Sequence, residues 1–204
     1  FIPVYEKSGL ISRLDRYIWE QAAAKLGEWK KVGINMSISV NISPKDFYYI
    51  DIFNTFAGLV KKYDIEPSNL KIEITETTIM SDVPNLMGEL EELRKAGFTI
   101  EMDDFGSGYS SLNTLKDINV DVLKVDMGFI KETKNVKKSR IILASVIKMA
   151  KELNLLIITE GVETEEQVDN LTKLGCDVFQ GYYFSKAIDV NEFEKRYLYR
   201  KKAG

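Results

Sequence analysis

Apolar residues recur at helical spacing early in the chain, at Leu10, Leu14, Ile18, Ala22 and Leu26. The pattern predicts an amphipathic helix that runs to Trp29 after a lead-in over Phe1 to Leu10. Short β-rich runs then alternate with amphipathic segments. The runs are Met36 to Ser43, Leu70 to Glu76, Thr99 to Phe105, Val120 to Asp126, Leu155 to Gly161 and Asp177 to Phe184. Each reads as apolar on consecutive residues, as expected of a strand covered on both faces in a parallel sheet.

Helix signals fill the intervals. Pro44 opens a segment whose apolar residues include Ile52, Phe56 and Leu59, and Val83-Pro84 opens one carrying Leu86, Leu90 and Leu93 that Gly97 ends. Thr164 and Gln167 have capping-box spacing, and Gly175 closes the helix that follows. The Lys-rich stretch Lys131 to Arg140 reads as a solvated loop and helix start. No Pro/Gly/Ser linker or low-complexity tract interrupts the chain, so residues 1–204 are read as one domain.

Successive βα units predict an α/β protein, either a (β/α)8 barrel of TIM type or an open doubly wound sheet. No Gly-x-Gly-x-x-Gly follows the first strand, which weighs against the dinucleotide-binding version. A full barrel needs two more strands. Because the chain opens with a lead-in and a helix, the missing pair is expected upstream of Phe1.

Composition narrows the chemistry. With 45% hydrophobic and 29% charged residues the chain can build a substantial core, and its net charge of −3 lacks the one-sided positive field needed to hold a long nucleic acid. Histidine is absent, which excludes Ser-His-Asp and Cys-His nucleophile systems and His-ligated zinc. Cys176 is the sole cysteine, so any metal must be held by oxygen, and oxygen sites suit Mg²⁺, Mn²⁺ or Ca²⁺. No apolar stretch approaches the ~18 residues of a membrane span, and Phe1-Ile2-Pro3-Val4 lacks the basic start of a signal peptide. A cytoplasmic domain is the expectation.

In a parallel barrel the C-terminal strand ends converge on one mouth, where polar residues tend to be functional. Here each predicted strand supplies one: Asn41, Glu73 with Glu76, Asp103 with Asp104, Lys124 with Asp126, Glu160 with Glu163, and Gln180. Singly they have ordinary structural alternatives, since Asn41 could cap the helix after Pro44 and Glu76 could sit in a solvated loop. Together, several carboxylates buried in one mouth would cost several kcal/mol per charge, a cost that one or two divalent cations remove. Asn41, Glu73, Asp103, Asp104 and Glu160 form such an all-oxygen set. Asp103 and Asp104 can both reach it only if the strand ends and turns there, which Gly106 and Gly108 would allow. Lys124, in an otherwise apolar strand, is either a salt-bridge partner for these carboxylates or a catalytic group.

The segments Val40-Asn41-Ile42-Ser43-Pro44, Glu73-Ile74-Thr75-Glu76, Asp103-Asp104-Phe105-Gly106-Ser107-Gly108-Tyr109-Ser110-Ser111-Leu112, Leu123-Lys124-Val125-Asp126, Glu160-Gly161-Val162-Glu163-Thr164 and Gln180-Gly181-Tyr182 follow one another along the whole chain. In order and spacing they resemble the EAL-domain family, the bacterial cyclic di-GMP phosphodiesterases. The resemblance implies a modified TIM-type barrel with one antiparallel strand, here lacking its first strands, that hydrolyses cyclic di-GMP to linear pGpG with Mg²⁺ or Mn²⁺. It makes Asn41, Glu73, Asp103, Asp104 and Glu160 the metal-site residues, with Asp103 bridging two ions. Lys124 matches the lysine near the attacking water. Glu76 matches the glutamate that holds the loop Phe105 to Ser111, while Gln180 and Glu163 match polar residues around water and substrate, with Ser43 beside them. The same loop and the helix after it imply a homodimer, and upstream sensor or GGDEF domains are possible.

Two positions depart from the family pattern. The Glu-Ala-Leu tripeptide that names the family, whose glutamate is a metal ligand, does not occur in the chain and is expected upstream of Phe1, together with an arginine that contacts substrate. Ala187 stands where the family often has Pro. The chemistry read from the residues agrees with a phosphodiesterase, because without histidine the simplest nucleophile is a metal-activated water. Two rivals remain: a degenerate EAL domain that binds cyclic di-GMP without cleaving it, and a barrel lyase or isomerase using Lys124 as base or Schiff-base amine.

Overall fold

Alternation, rather than continuity, organises the strands. The structure, a computed structural model, describes residues 5, 9–81, 83–106, 115–116, 118–128, 136–176 and 178–199. Six strands, β1 (Ile38–Asn41), β2 (Leu70–Thr75), β3 (Ile100–Phe105), β4 (Val122–Asp126), β5 (Leu156–Glu160) and β6 (Val178–Phe179), form one sheet in chain order with every neighbouring pair parallel. The sheet curls into part of a barrel with helices outside, as the α/β barrel expectation required. An antiparallel strand is not among the described residues.

The expectation of strands apolar on both faces is corrected. In β2, Leu70, Ile72 and Ile74 are fully buried among the helices, whereas Lys71 and Glu73 reach across the opposite face to charged partners on β3 and β4. Successive side chains leave a pleated strand on opposite sides, so the helix-covered face can be aliphatic while the inner face is charged. Val40, Ile100, Met102, Leu123, Val125 and Ile157 continue the aliphatic face, and they belong to one continuous core.

Helix α1 (Ile11–Lys31) covers this sheet with the C-terminal half of the predicted stripe, Ala22 and Leu26, but not with its N-terminal half. Ile11, Trp19, Ala22, Ala23, Leu26 and Trp29 are buried, while Leu10 and Ile18 stand 42% and 44% exposed. The large indoles set the rotation. The Trp19 ring centroid lies 5.0 Å from that of Phe56, and its Nε1–H donates to the Asn41 carbonyl at 2.9 Å, satisfying the indole while burying its area.

The helix predicted after Pro44 is two helices, α2 (Asp46–Tyr49) and α3 (Ile52–Tyr63). Ile50 is extended, and the Asp51 side chain accepts the Asn54 N–H at 3.0 Å, starting α3 afresh. Then come α4 (Glu76–Met80), α5 (Leu86–Lys95), α6 (Val136–Glu152) and α7 (Glu165–Leu174). The capping box of Thr164 and Gln167 is formed, and Gly175 ends α7 at φ +92°. Of Lys131 to Arg140, residues 131–135 lie outside the described residues and the rest belong to α6. A short α8 (Val190–Phe193) leads into a π-helical turn at Glu194–Leu198.

The last strand is far shorter than Asp177 to Phe184. After Phe179 the chain folds back, and Gly181 packs so tightly on Val162 that a Cβ there would sit 2.1 Å from the Val162 carbonyl oxygen. Tyr183 N–H donates to that same oxygen at 3.0 Å. This contact needs a turn, and it brings Gln180 and Tyr182 to the end of β5.

Candidate functional site

The inner face of the sheet gathers on Lys124. This residue is 4% exposed on β4, and its ammonium donates to Glu73 Oε1 on β2 at 2.8 Å. It also lies 2.8 Å from Glu160 Oε1 at the end of β5 and 3.2 Å from Asp103 Oδ1 on β3. Burial alone would lower the lysine pKa, but the bonds to Glu160 and Glu73 and the charges of Glu73 and Asp103 outweigh it, and the pKa lies above its ordinary value. Glu73 and Glu160 are themselves pushed up, first by burial and then by the other carboxylates, with Lys124 opposing. Lys124 is raised because its carboxylate contacts outweigh its burial, whereas Glu73 and Glu160 are raised chiefly because burial disfavours their charged forms. A Schiff-base lysine reacts as a neutral amine, whereas the carboxylates around Lys124 favour its ammonium form, so this geometry lends the lyase or isomerase reading no support.

Asp103 and Asp104 part company by a device the glycines only partly supply. The β3–β4 register slips between Met102 and Phe105, so that β3 carries one extra residue. Asp104 itself takes the left-handed conformation at φ +57°, which aspartate tolerates better than most residues, and its N–H donates to Asp103 Oδ1 at 2.9 Å. The Asp104 carboxyl is pushed up by burial and by the charges of Asp103 and Asp126. Asp126 thus belongs to the mouth as well. It pairs in register with Glu160, and its Oδ1 accepts the Gly128 N–H at 2.6 Å.

Asn41 ends β1 opposite Glu73 with its side chain exposed. Glu76 is buried as the first residue of α4, next to Thr75, whose hydroxyl accepts the Thr78 N–H at 3.2 Å and caps the helix. The loop that Glu76 is expected to hold, Phe105 to Ser111, lies outside the described residues from residue 107 onward. So does the part of the dimer expectation that rests on it.

A cleft of about 310 Å³ opens beside this cluster, lined by Asp126, Glu160, Gly161, Glu163, Gln180, Gly181 and Tyr182. Glu163 and Gln180 therefore share one wall. Ser43 is engaged elsewhere: its N–H and hydroxyl donate to Asp46 Oδ2 at 2.7 and 2.9 Å, so its hydroxyl serves the start of α2. The sequence reading missed the inner positions Lys71 and Glu101, because it took the strands as apolar throughout. The signal that finds them is the two-residue period.

The donor set suits a hard cation, since only oxygen ligands converge and they already gather around one positive charge. The arrangement closes on the ammonium, and among the described residues no three acidic or cysteine side chains are grouped to hold a metal ion by themselves. No helix among them is long and apolar enough to cross a membrane.

Comparison with known proteins now bears on this geometry. A family model described as EAL domain matches residues 1–187. The bifunctional diguanylate cyclase/cyclic di-GMP phosphodiesterase MucR of Pseudomonas aeruginosa is 35% identical over 193 residues, covering 94% of this chain and 28% of that protein. The chain thus spans little more than a quarter of that relative's length. A solved structure of the phosphodiesterase PaMucR in complex with c-di-GMP superposes with a TM-score of 0.86 at 34% identity, over 95% of this chain and 78% of that one. The manganese and cyclic di-GMP complex of Klebsiella pneumoniae BlrP1 superposes with a TM-score of 0.75 at 28% identity, over 86% and 44%.

Proposed function

The chain belongs to the EAL domain family, and from that premise we propose that it hydrolyses one phosphodiester of cyclic di-GMP to linear pGpG, using Mg²⁺ or Mn²⁺. The observation that carries the proposal is the convergence of Glu73, Asp103 and Glu160, from three separate strands, on the buried Lys124. MucR, a cyclic di-GMP phosphodiesterase, and the c-di-GMP complex of PaMucR support the substrate, and the manganese complex of BlrP1 supports a divalent cation.

Asn41, Glu73, Asp103, Asp104 and Glu160 would hold the ions, and titration distinguishes one ion from two. When bound, such cations lower the pKa of a water and shield phosphate oxygens. Lys124, kept protonated, would orient the attacking water and offset the negative charge that builds on the phosphoryl oxygens as the water adds and the ribose oxygen leaves, one proton of the water passing to the leaving ribose oxygen and the other to solvent. Glu76 steadies the loop after Asp104, Glu163 and Gln180 contact the nucleotide from the cleft wall they share, and Ser43 acts through its bond to Asp46 at the start of α2. Sensor or GGDEF domains in the complete protein, and a homodimer, belong to the same reading, with MucR as a two-activity precedent.

The rival reading is a receptor that binds cyclic di-GMP without cleaving it. The two readings separate when the complete protein, including the residues expected upstream of Phe1, is incubated with cyclic di-GMP in Mg²⁺ or Mn²⁺ and the products are resolved by chromatography. We expect pGpG from the wild type, and Lys124→Ala should slow its release by about 10²-fold or more while keeping most of the nucleotide affinity. Binding by the wild type without any pGpG would replace the phosphodiesterase with a receptor.

A further inference from the structure

Beneath the carboxylate cluster lies a second polar layer that the proposed reaction does not use. Glu101, 1% exposed on β3, accepts a hydrogen bond from Ser39 Oγ of β1 at 2.8 Å and one from Lys71 Nζ of β2 at 3.0 Å. One carboxylate therefore ties three adjacent strands together from inside the barrel. The register gives this triad its meaning. Ser39, Lys71 and Glu101 each stand two residues before a candidate metal ligand on the same strand: Asn41, Glu73 and Asp103. Since side chains two apart share a face, the three ties lie directly below the three ligands.

The triad also solves a problem of like charges. Glu101 is paired in register with Glu73, so an untethered Glu101 carboxylate would crowd Glu73 and compete for Lys124. Lys71 and Ser39 draw it back toward the N-terminal end of the sheet, and Lys124 is left to Glu73, Asp103 and Glu160.

We propose that Ser39, Lys71 and Glu101 are positioning residues, which hold the ends of β1, β2 and β3 in the register at which Asn41, Glu73 and Asp103 act together. The proposal rests on the metal-dependent reading of the site. Groups that orient ligands from behind are typically worth about 10- to 100-fold in metal affinity.

The test is Mn²⁺ binding, followed by electron paramagnetic resonance of the free ion, with thermal unfolding of each variant alongside. Glu101→Ala should weaken Mn²⁺ binding about tenfold or more, and Glu101→Gln, whose amide oxygen can accept from Lys71 while its NH2 donates to the Ser39 hydroxyl, should recover most of it. Ser39→Ala should weaken binding several-fold at an unchanged Tm, and it decides the question with Glu101→Gln if Glu101→Ala does not fold. Wild-type Mn²⁺ affinity in Ser39→Ala and Glu101→Ala overturns the proposal alone. So does a Glu101→Gln variant as weak as Glu101→Ala, because position would then not be what the residue contributes. A wild-type protein that binds no Mn²⁺ overturns the metal reading and the proposal with it.

Discussion

Replacing Lys124 with methionine keeps the length and volume of the side chain while removing its charge, so the cost isolates the electrostatics of the cluster. The side chain is 5% exposed, and its partners Glu73, Asp103 and Glu160 are 12%, 16% and 17% exposed. Removing one partner from a buried ion pair leaves uncompensated charge and costs about 3–5 kcal/mol. For a chain of this size about 2–4 °C of Tm accompanies each kcal/mol, giving a fall of roughly 6–20 °C. The pH dependence has a definite sign. Glu73 and Glu160 already sit above the ordinary carboxylate range, so what they contribute to stability is present at low pH and lost as pH rises through their folded pKa values. Without Lys124 those values rise further, and the penalty of Lys124→Met should be larger at pH 8 than at pH 5. Excess Mn²⁺ should offset part of it, by about 2.7 kcal/mol at a hundredfold excess over the dissociation constant. Chemical denaturation of both proteins at the two pH values, with and without Mn²⁺, reads all of this. A loss below about 1 kcal/mol at pH 8, the range of exposed pairs, would refute the reasoning, as would a penalty that grows on acidification.

Two further outcomes follow from the same geometry. Because Glu73, Glu160 and Asp104 are all pushed above the ordinary carboxylate range, protons should compete with metal at a higher pH than usual, and Mn²⁺ affinity measured by titration calorimetry should fall on acidification before normal carboxylates titrate; an affinity flat down to the ordinary carboxylate range would contradict this. Gly181→Ala puts a Cβ 2.1 Å from the Val162 carbonyl oxygen, so the fold-back after β6 must shift, with a stability loss of about 1–3 kcal/mol in denaturant melts and weaker cyclic di-GMP binding by the cleft it lines; wild-type values for both would show that the close approach is not required.

Much of the site was readable in one dimension because its members interrupt or end aliphatic runs. Glu73, Asp103, Lys124 and Glu160 each follow an aliphatic run, and a charged residue in that position has few structural uses. The capping box at Thr164 and Gln167 was equally plain, since it joins groups three residues apart and depends on nothing distant. Readings that needed an orientation fared less well. The α1 stripe was taken from Leu10, Leu14, Ile18, Ala22 and Leu26; Ala22 and Leu26 are buried as expected, but burial of Trp19 and Trp29 shifts the covered face so that Leu10 and Ile18 stand exposed. The helix after Pro44 divides because Asp51 offers its carboxylate to Asn54.

By itself the sequence determined the alternation of strand and helix, the oxygen-only chemistry of a chain without histidine, and the motifs that mark the EAL family. Those properties are local, or are counts, and no folding is needed to read them. Which carboxylates share Lys124, that Asp104 makes its own turn through a bulge, and that Glu101 ties β1 to β3 beneath the cluster were settled by folding in three dimensions. Each of these depends on the lateral register of strands roughly thirty residues apart in the chain, and register is set by packing across the curled sheet and not by any segment alone.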